Sequence, residues 1–215
     1  MVFEESAYNK MLRYVCKLLN TGKNRTLEKN TNPIRNRAEH TKRVLMWINR
    51  LSISYRRIDN EALIIAAIFH DSGYSKYDYK NDDHGKASSE ICSNYLKRYG
   101  YTKERIAEIT YLIRNHSNKT MMHDKNTSKE LILLMEADLL DETGSLAIVK
   151  DCMYEAHRKK YKYDVVYKYL NSRAEKILEN NPMVTSKGKK YWAEKQKVMA
   201  LFLKNLEYDI FISSN

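Results

Sequence analysis

The sequence predicts an all-helical protein, and three observations carry that expectation. Of 215 residues only 6 are glycine and 2 are proline. Sheets joined by many tight turns draw on both residues, whereas helices with short connections need few of either. Apolar residues recur at helical spacing along most of the chain, and no stretch reads as a strand. Helix-starting residues stand ahead of several of these stretches. A hydrophobic content of 43% is that of an ordinary globular protein and argues against wholesale disorder.

Each element can be placed in turn. Residues 5–20 carry Ala7, Met11, Tyr14, Val15, Leu18 and Leu19 at helical spacing. The polar stretch from Thr21 to Asn32 reads as a loop, and Pro33 stands where a first helical turn tolerates proline. A helix over 34–51 puts Val44, Ile48 and Leu51 on one face. Asp59 or Asn60 caps a helix over 61–71, EALIIAAIFHD, which is apolar on all sides and therefore central. Gly73 is expected to stop it, and residues 74–83 form a polar, tyrosine-rich loop. A helix over 84–99 turns Ala87, Ile91 and Tyr95 inward; Thr102 caps another over 103–116, with Ile106, Ile109 and Ile113 inward. Thr127 with Glu130 has the spacing of a capping box for a helix over 128–141. Residues 145–180 read as helix with a break. Residues 188–210 read as a closing amphipathic helix with Trp192, Met199, Phe202, Leu203 and Leu206 inward. Without repeats or low-complexity linkers, the chain reads as a single domain over 1–215, with a core at about 34–150 and a helical extension at about 151–215.

The net charge of +11 raises the local concentration of anions around the protein. Nucleotides, phosphorylated metabolites, nucleic acid and membrane headgroups all qualify as partners, although the lysines are spread along the chain and only Arg158, Lys159, Lys160 and Lys162 approach a patch. The three cysteines, Cys16, Cys92 and Cys152, are far apart and form no CxxC pair, so they do not suggest a thiolate zinc site, and the pattern suits a reducing cytosol. The sequence begins without a basic segment followed by an apolar one, so no signal peptide is expected. The longest apolar runs are too short to span a bilayer. The expectation is a cytoplasmic protein without a membrane partner.

The chemistry concentrates on His70-Asp71, at the end of the most apolar helix in the chain. An ionisable pair there is costly unless something compensates it, and a bound cation is the most economical compensation. Imidazole with carboxylate suits Mn, Fe, Co, Ni or Zn, and carboxylate-rich sites also take Mg. Helix neighbours point about 100° apart, so two adjacent side chains close on one ion only near a helix end. His40 lies on the same face as Val44 and Trp47, and Asp138 sits inside LILLMEADLL. Three separate helices thus each bring an inward ionisable group, a set that is hard to explain without a shared ion.

EHTKRVLMWI, AAIFHDSGY and LMEADLLDETGS, in that order over about residues 36–150, resemble the motifs of the HD-domain phosphohydrolase superfamily. The resemblance implies a helical bundle holding a divalent metal on His40, His70, Asp71 and Asp138, and hydrolysis of a phosphoester or phosphoanhydride. His84 and His116 are similar in order to two extra histidines of two-metal members, so one or two ions are implied; the alternatives are that they contact substrate phosphate or only cap helices. Asp71 serves chemistry as well as ligation. Arg43, one turn after His40 in an HxxRV arrangement similar to the family's, and Lys76, just after the HD pair, are candidates to balance phosphoryl charge. Lys80, Lys86, Arg114 and Lys119 are further ones. Asp141 is a candidate acceptor for a ligand histidine, or a cap for the turn at Gly144. In the nucleotidase branch an acid stands three positions after the HD aspartate. Tyr74 occupies that position here, leaving Asp78, Asp82 or Asp83 as substitutes and weakening a 5′-nucleotidase assignment. His123 and His157 read as surface residues. The segment MVTSKGKKYWAEKQKVMALFLKNLEYDI loosely resembles the tail of bacterial members that cleave nucleoside triphosphates to monophosphate and pyrophosphate. The leading expectation is therefore a metal-dependent phosphohydrolase acting on a small anionic nucleotide. The runner-up is a phosphodiesterase or dinucleoside-polyphosphate hydrolase with a dinuclear site. A non-catalytic HD module binding RNA or another anion is the remaining class.

Overall fold

The computed structural model describes residues 2–21, 34, 36–76, 83–159 and 161–211, with side chains from Ala7 onward. Among the described residues there are nine α-helices, two short 3-10 turns and no strand. The helices are α1 (Val2–Thr21), α2 (Arg37–Ser52), α3 (Asn60–Phe69), α4 (His84–Arg98), α5 (Lys103–Asn115), α6 (Lys129–Asp141), α7 (Ser145–His157), α8 (Tyr163–Glu179) and α9 (Ser186–Ile210). The 3-10 turns are Ser72–Ser75 and Lys119–His123. No helix among the described residues is long and apolar enough to cross a membrane. The chain divides into two compact units, Met1–Asp138 and Leu139–Asn215.

In the first unit α3 is the central element. Leu63, Ile65, Ala66, Ala67, Ile68 and Phe69 are all completely buried, as a helix apolar all round requires. It packs against α1, α2, α4 and α5. Asp59 is its N-cap, accepting the Ala62 N–H at 3.0 Å. Each neighbour contributes one apolar stripe: Met11, Val15 and Leu19 from α1, Val44, Ile48 and Leu51 from α2, Ala87, Ile91 and Tyr95 from α4, and Ile106, Ile109 and Ile113 from α5. Thr102 caps α5 as expected, through the Arg105 N–H at 3.2 Å. Helix α4 ends in a Schellman motif: Tyr101 N–H reaches Leu96 O, Gly100 N–H reaches Lys97 O, and Gly100 takes the left-handed φ of 78°.

Two local expectations are corrected. Ser128, not Thr127, caps α6: the Leu131 N–H donates to Ser128 Oγ at 3.3 Å, while Thr127 Oγ1 donates to Met121 O. Glu130 does not fold back to complete a capping box, because its carboxylate accepts the Asp59 N–H at 2.8 Å and ties the start of α6 to the start of α3. Gly73 is not a helix stop either. Helix α3 ends at Phe69, where Ser72 Oγ donates to the Phe69 carbonyl, and the chain tightens into the 3-10 turn without any positive φ at Gly73.

Arg105 gathers the capping residues of α3. Its guanidinium bonds both oxygens of Asp59, Glu61 Oε2 at 2.6 Å and Glu108 Oε2 at 3.1 Å. The hydrogen bond to Arg105 is the main reason that the Asp59 carboxyl is held below its usual range. A carboxyl with a lowered folded-state pKa adds stability above its ordinary pKa and loses it as pH falls through the lowered value. Arg105→Ala is therefore expected to lower the unfolding free energy by about 1–2 kcal/mol at neutral pH, the partial exposure of the network keeping the loss modest. The difference from wild type should shrink below about pH 4. Urea unfolding at two pH values checks both parts.

The second unit is a three-helix assembly of α7, α8 and α9 around Ile148, Leu170, Ala174, Met199 and Leu203. The break expected within 145–180 falls between α7 and α8. Trp192 is buried and donates from Nε1 to Asn180 O at 2.9 Å, whereas Phe202, expected inward, is exposed. Gly144 precedes α7 at φ 79°, and a Cβ there would stand 2.9 Å from Lys195 Cγ.

Candidate metal centre

The site is built where five helices, α2 to α6, end or cross. His70 and Asp71 lie just past the last residue of α3. Asp71 leaves helical geometry, with φ −105° and ψ 4°. That departure lets two adjacent side chains approach one point, which a continuing helix would have kept about 100° apart. His40 comes from the buried face of α2, His84 is the first residue of α4, His116 is the C-cap of α5, and Asp138 lies in α6.

These six side chains converge. His40 Nε2 is 3.3 Å from His70 Nε2 and 3.2 Å from Asp138 Oδ1. His84 Nε2 is 3.4 Å from His116 Nε2. Asp71 stands between the two histidine pairs and offers one oxygen to each. Its Oδ2 is 3.7 Å from His40 Nε2 and 3.8 Å from His70 Nε2, while its Oδ1 is 3.7 Å from His84 Nε2 and 3.6 Å from His116 Nε2. Two sets have ligand atoms all within 4.8 Å of one another: His40, His70 and Asp138, and His70, Asp71 and His116.

The tautomers are fixed from behind. His70 Nδ1 donates to Ala67 O at 2.8 Å and His116 Nδ1 to Ile113 O at 2.6 Å, each a carbonyl three residues earlier on the histidine's own helix. A proton held on Nδ1 leaves a lone pair on Nε2, aimed into the site. The acceptors behind these two histidines are thus carbonyls, the role for which Asp141 was a candidate. Burial lowers the pKa of both His70 and His84 to about 4, so both are neutral at pH 7 and can ligate without first losing a proton. Burial works against ionisation of Asp71, but Arg37 first, then His70 and His116, outweigh it and hold the carboxyl well below its usual range. In Asp138 burial is likewise outweighed, by Lys119 and then His40. Neutral imidazoles converging on ionised carboxylates make a donor set that fits a borderline divalent metal.

The flanking cations are only partly those expected. Arg37, which the sequence reading passed over, donates from Nη1 to Asp71 Oδ2 at 2.6 Å and is almost wholly buried. Its place three residues before His40, on the same face of α2, was the available signal. Lys119 Nζ donates to Asp138 Oδ2 at 2.6 Å and to His116 O at 2.9 Å. Arg43 is half-buried, and Lys76, Lys86 and Arg114 are exposed. Lys80, Asp78 and Asp82 lie outside the described residues, and Asp83 precedes α4, 4.0 Å from Lys86 Nζ. His123 and His157 are exposed, as expected of surface residues. Tyr74 brings its ring rather than an acid. The His84 imidazole stacks on it at 4.4 Å and 17°, and the Arg37 guanidinium lies 3.6 Å from its centroid. Ser117 Oγ, also unforeseen, is 3.0 Å from His84 Nε2.

Residues 37–143 match the HD domain family. The chain is an HD-domain protein. The family match begins at Arg37 and ends two residues past Asp141, so all six converging side chains fall within it. Solved structures extend the fold likeness over nearly the whole HD-domain chain. A predicted HD superfamily hydrolase from an uncultured Thermotogales bacterium is 20% identical, with a TM-score of 0.66 over 94% of this chain and 91% of its own. Bacillus subtilis YpgQ in complex with ADP is 19% identical, with a TM-score of 0.67 over 96% of each chain. An HD-superfamily hydrolase from Bacillus thuringiensis is 16% identical, with a TM-score of 0.63 over 95% of this chain and 97% of its own. No curated protein matches the sequence.

Proposed function

We propose that this HD-domain protein is a metal-dependent phosphohydrolase acting on a nucleotide, with Asp71 placed to serve two ions. The observation that carries the reading is the split of the Asp71 carboxylate, one oxygen toward the His40–His70 pair and the other toward the His84–His116 pair. Asp138 completes the first set. When bound, the metal supplies Lewis acidity and an activated water for attack on phosphorus.

The protein's own contribution is orientation and charge. The carbonyls of Ala67 and Ile113 hold two imidazoles in the ligating tautomer before any ion arrives. Arg37, buried, and Lys119, partly exposed, each flank one carboxylate, and Lys119 is the cationic donor placed for phosphoryl oxygens at the rim of the cluster. The Tyr74 ring holds Arg37 and His84 by stacking, which an acid at that position would not do. This supports a reading outside the 5′-nucleotidase branch. The ADP complex of YpgQ supports a nucleotide as substrate class. Within that class a nucleoside triphosphate, cleaved to monophosphate and pyrophosphate, is the first choice. The two-sided Asp71 geometry favours a second reading, a phosphodiesterase or dinucleoside-polyphosphate hydrolase.

Purified protein loaded with Mn, Co or Ni, offered nucleoside mono-, di- and triphosphates, a dinucleoside polyphosphate and a generic phosphodiester, tests the reading. Turnover of at least one is expected, together with close to two ions per chain by elemental analysis. His84→Ala is expected to lower that count by about one. A chain that binds metal and hydrolyses none of these compounds would point to a non-catalytic HD module.

A further inference from the structure

Lys76, a sequence-based candidate for the metal centre, lines a different hollow. Its volume is about 620 Å³, within the range of small-molecule sites. Helix α1 contributes Tyr14 and Leu18, helix α4 contributes Ile91, Asn94 and Arg98 at spacings of three and four, and the end of the 3-10 turn contributes Ser75 and Lys76. None of the six converging side chains of the metal centre lines it.

The lining is divided by chemistry. Leu18, half-buried Tyr14 and buried Ile91 form an apolar wall, and the Tyr14 ring is already held by Tyr95 at 4.8 Å. Among the described residues, Lys76, Arg98 and Asn94 form a polar rim that carries two positive charges and no carboxylate. Neither Lys76 nor Arg98 has an ion-pair partner among the described residues, although acidic side chains neutralise Arg37, Arg105 and Lys119 elsewhere in this unit. A wall able to take a flat ring beside unneutralised donors is complementary to one kind of molecule: an aromatic base carrying phosphate.

We propose that this hollow is a second, non-catalytic nucleotide site, with the base against Tyr14, Leu18 and Ile91 and the phosphates on Arg98 and Lys76. It is separate from the metal centre but adjacent to it in sequence. The 3-10 turn Ser72–Ser75 presents Tyr74 to His84 and leads directly into Lys76.

The test uses the full chain, loaded with metal, and α,β-methylene-ADP, whose bridging carbon resists cleavage. Hydrogen exchange read on residues 14–21 and 91–98 should slow on adding the nucleotide. Arg98→Glu, at an exposed position, should abolish that slowing and weaken the local dissociation constant by about tenfold or more, while leaving any protection around residues 37–43 unchanged. Absence of protection in the wild-type chain overturns the proposal, as does protection undiminished in Arg98→Glu. Equal protection by methylenediphosphonate without the nucleoside overturns the assignment of a base to the apolar wall. The readout is binding, so a chain that hydrolyses nothing would sink the proposed function and leave this site standing.

Discussion

Asp71→Asn is expected to remove bound metal and turnover together. Among the described residues, Asp71 is the one side chain within 4 Å of all four converging histidines, so its loss strips a ligand from both pairs. Metal assistance accounts for several kcal/mol of transition-state stabilisation, which corresponds to a fall in rate of about a thousandfold or more. Asparagine keeps the shape and leaves an oxygen near Arg37. Alanine would in addition strand a buried guanidinium, a change that costs about 3–5 kcal/mol. Asp71→Ala should therefore lose stability as well as metal, and Asp71→Asn should separate the two effects. Elemental analysis, circular dichroism and a turnover assay on both variants decide the matter. A folded Asp71→Asn chain that keeps its full metal content and its rate would overturn the assignment of Asp71.

A second large effect, on folding first and on metal through it, is expected from Gly73→Ala. A Cβ at this position would lie 2.3 Å from His84 O and 2.8 Å from Ser88 N, both backbone atoms of α4, and 2.9 Å from the Ala87 Cβ. Backbone cannot rotate out of the way as a side-chain tip can, so the 3-10 turn and the first turn of α4 must move apart. The Gly73 N–H would also lose its 2.8 Å hydrogen bond to Ser88 Oγ, which is buried. Overpacking of this kind costs about 1–3 kcal/mol, and more where backbone must shift. His84 opens the displaced helix, so the change should also lower metal content on the His84–His116 side. Thermal unfolding and metal analysis of Gly73→Ala check both effects. Wild-type stability with two ions retained would show that the turn and α4 are not packed as described.

Much of this protein was legible in one dimension. The periodicity of 5–20, 34–51, 84–99 and 103–116 sets which faces are buried, and the structure buries Val44, Ile48, Leu51, Ala87, Ile91, Ile106, Ile109 and Ile113 as those spacings require. The all-apolar EALIIAAIF segment could only be central, and it is. His40, His70, Asp71 and Asp138 stood out because an ionisable group inside an apolar helix needs a reason. The structure brings them together with His84 and His116.

Other features were invisible in the sequence, and the physical reasons differ. Arg37 looks like one of many surface cations in a chain of net charge +11, and only the fold shows it buried against Asp71. Gly73 and Thr127 each carried a plausible local signal that a tertiary partner overrode. At Gly73 the backbone of α4 comes close enough to exclude a side chain. At Glu130 the Asp59 N–H took the carboxylate that a capping box would have used. Lys76 was assigned by its distance along the chain from the HD pair, yet direction, which sequence does not encode, turns it toward another hollow. The sequence by itself determined most of the apolar faces that are buried and that the ionisable groups on them require a partner, because both follow from helical periodicity and the cost of desolvation. The tertiary structure alone decided which partner each group received, because that depends on where separate helices bring their ends together.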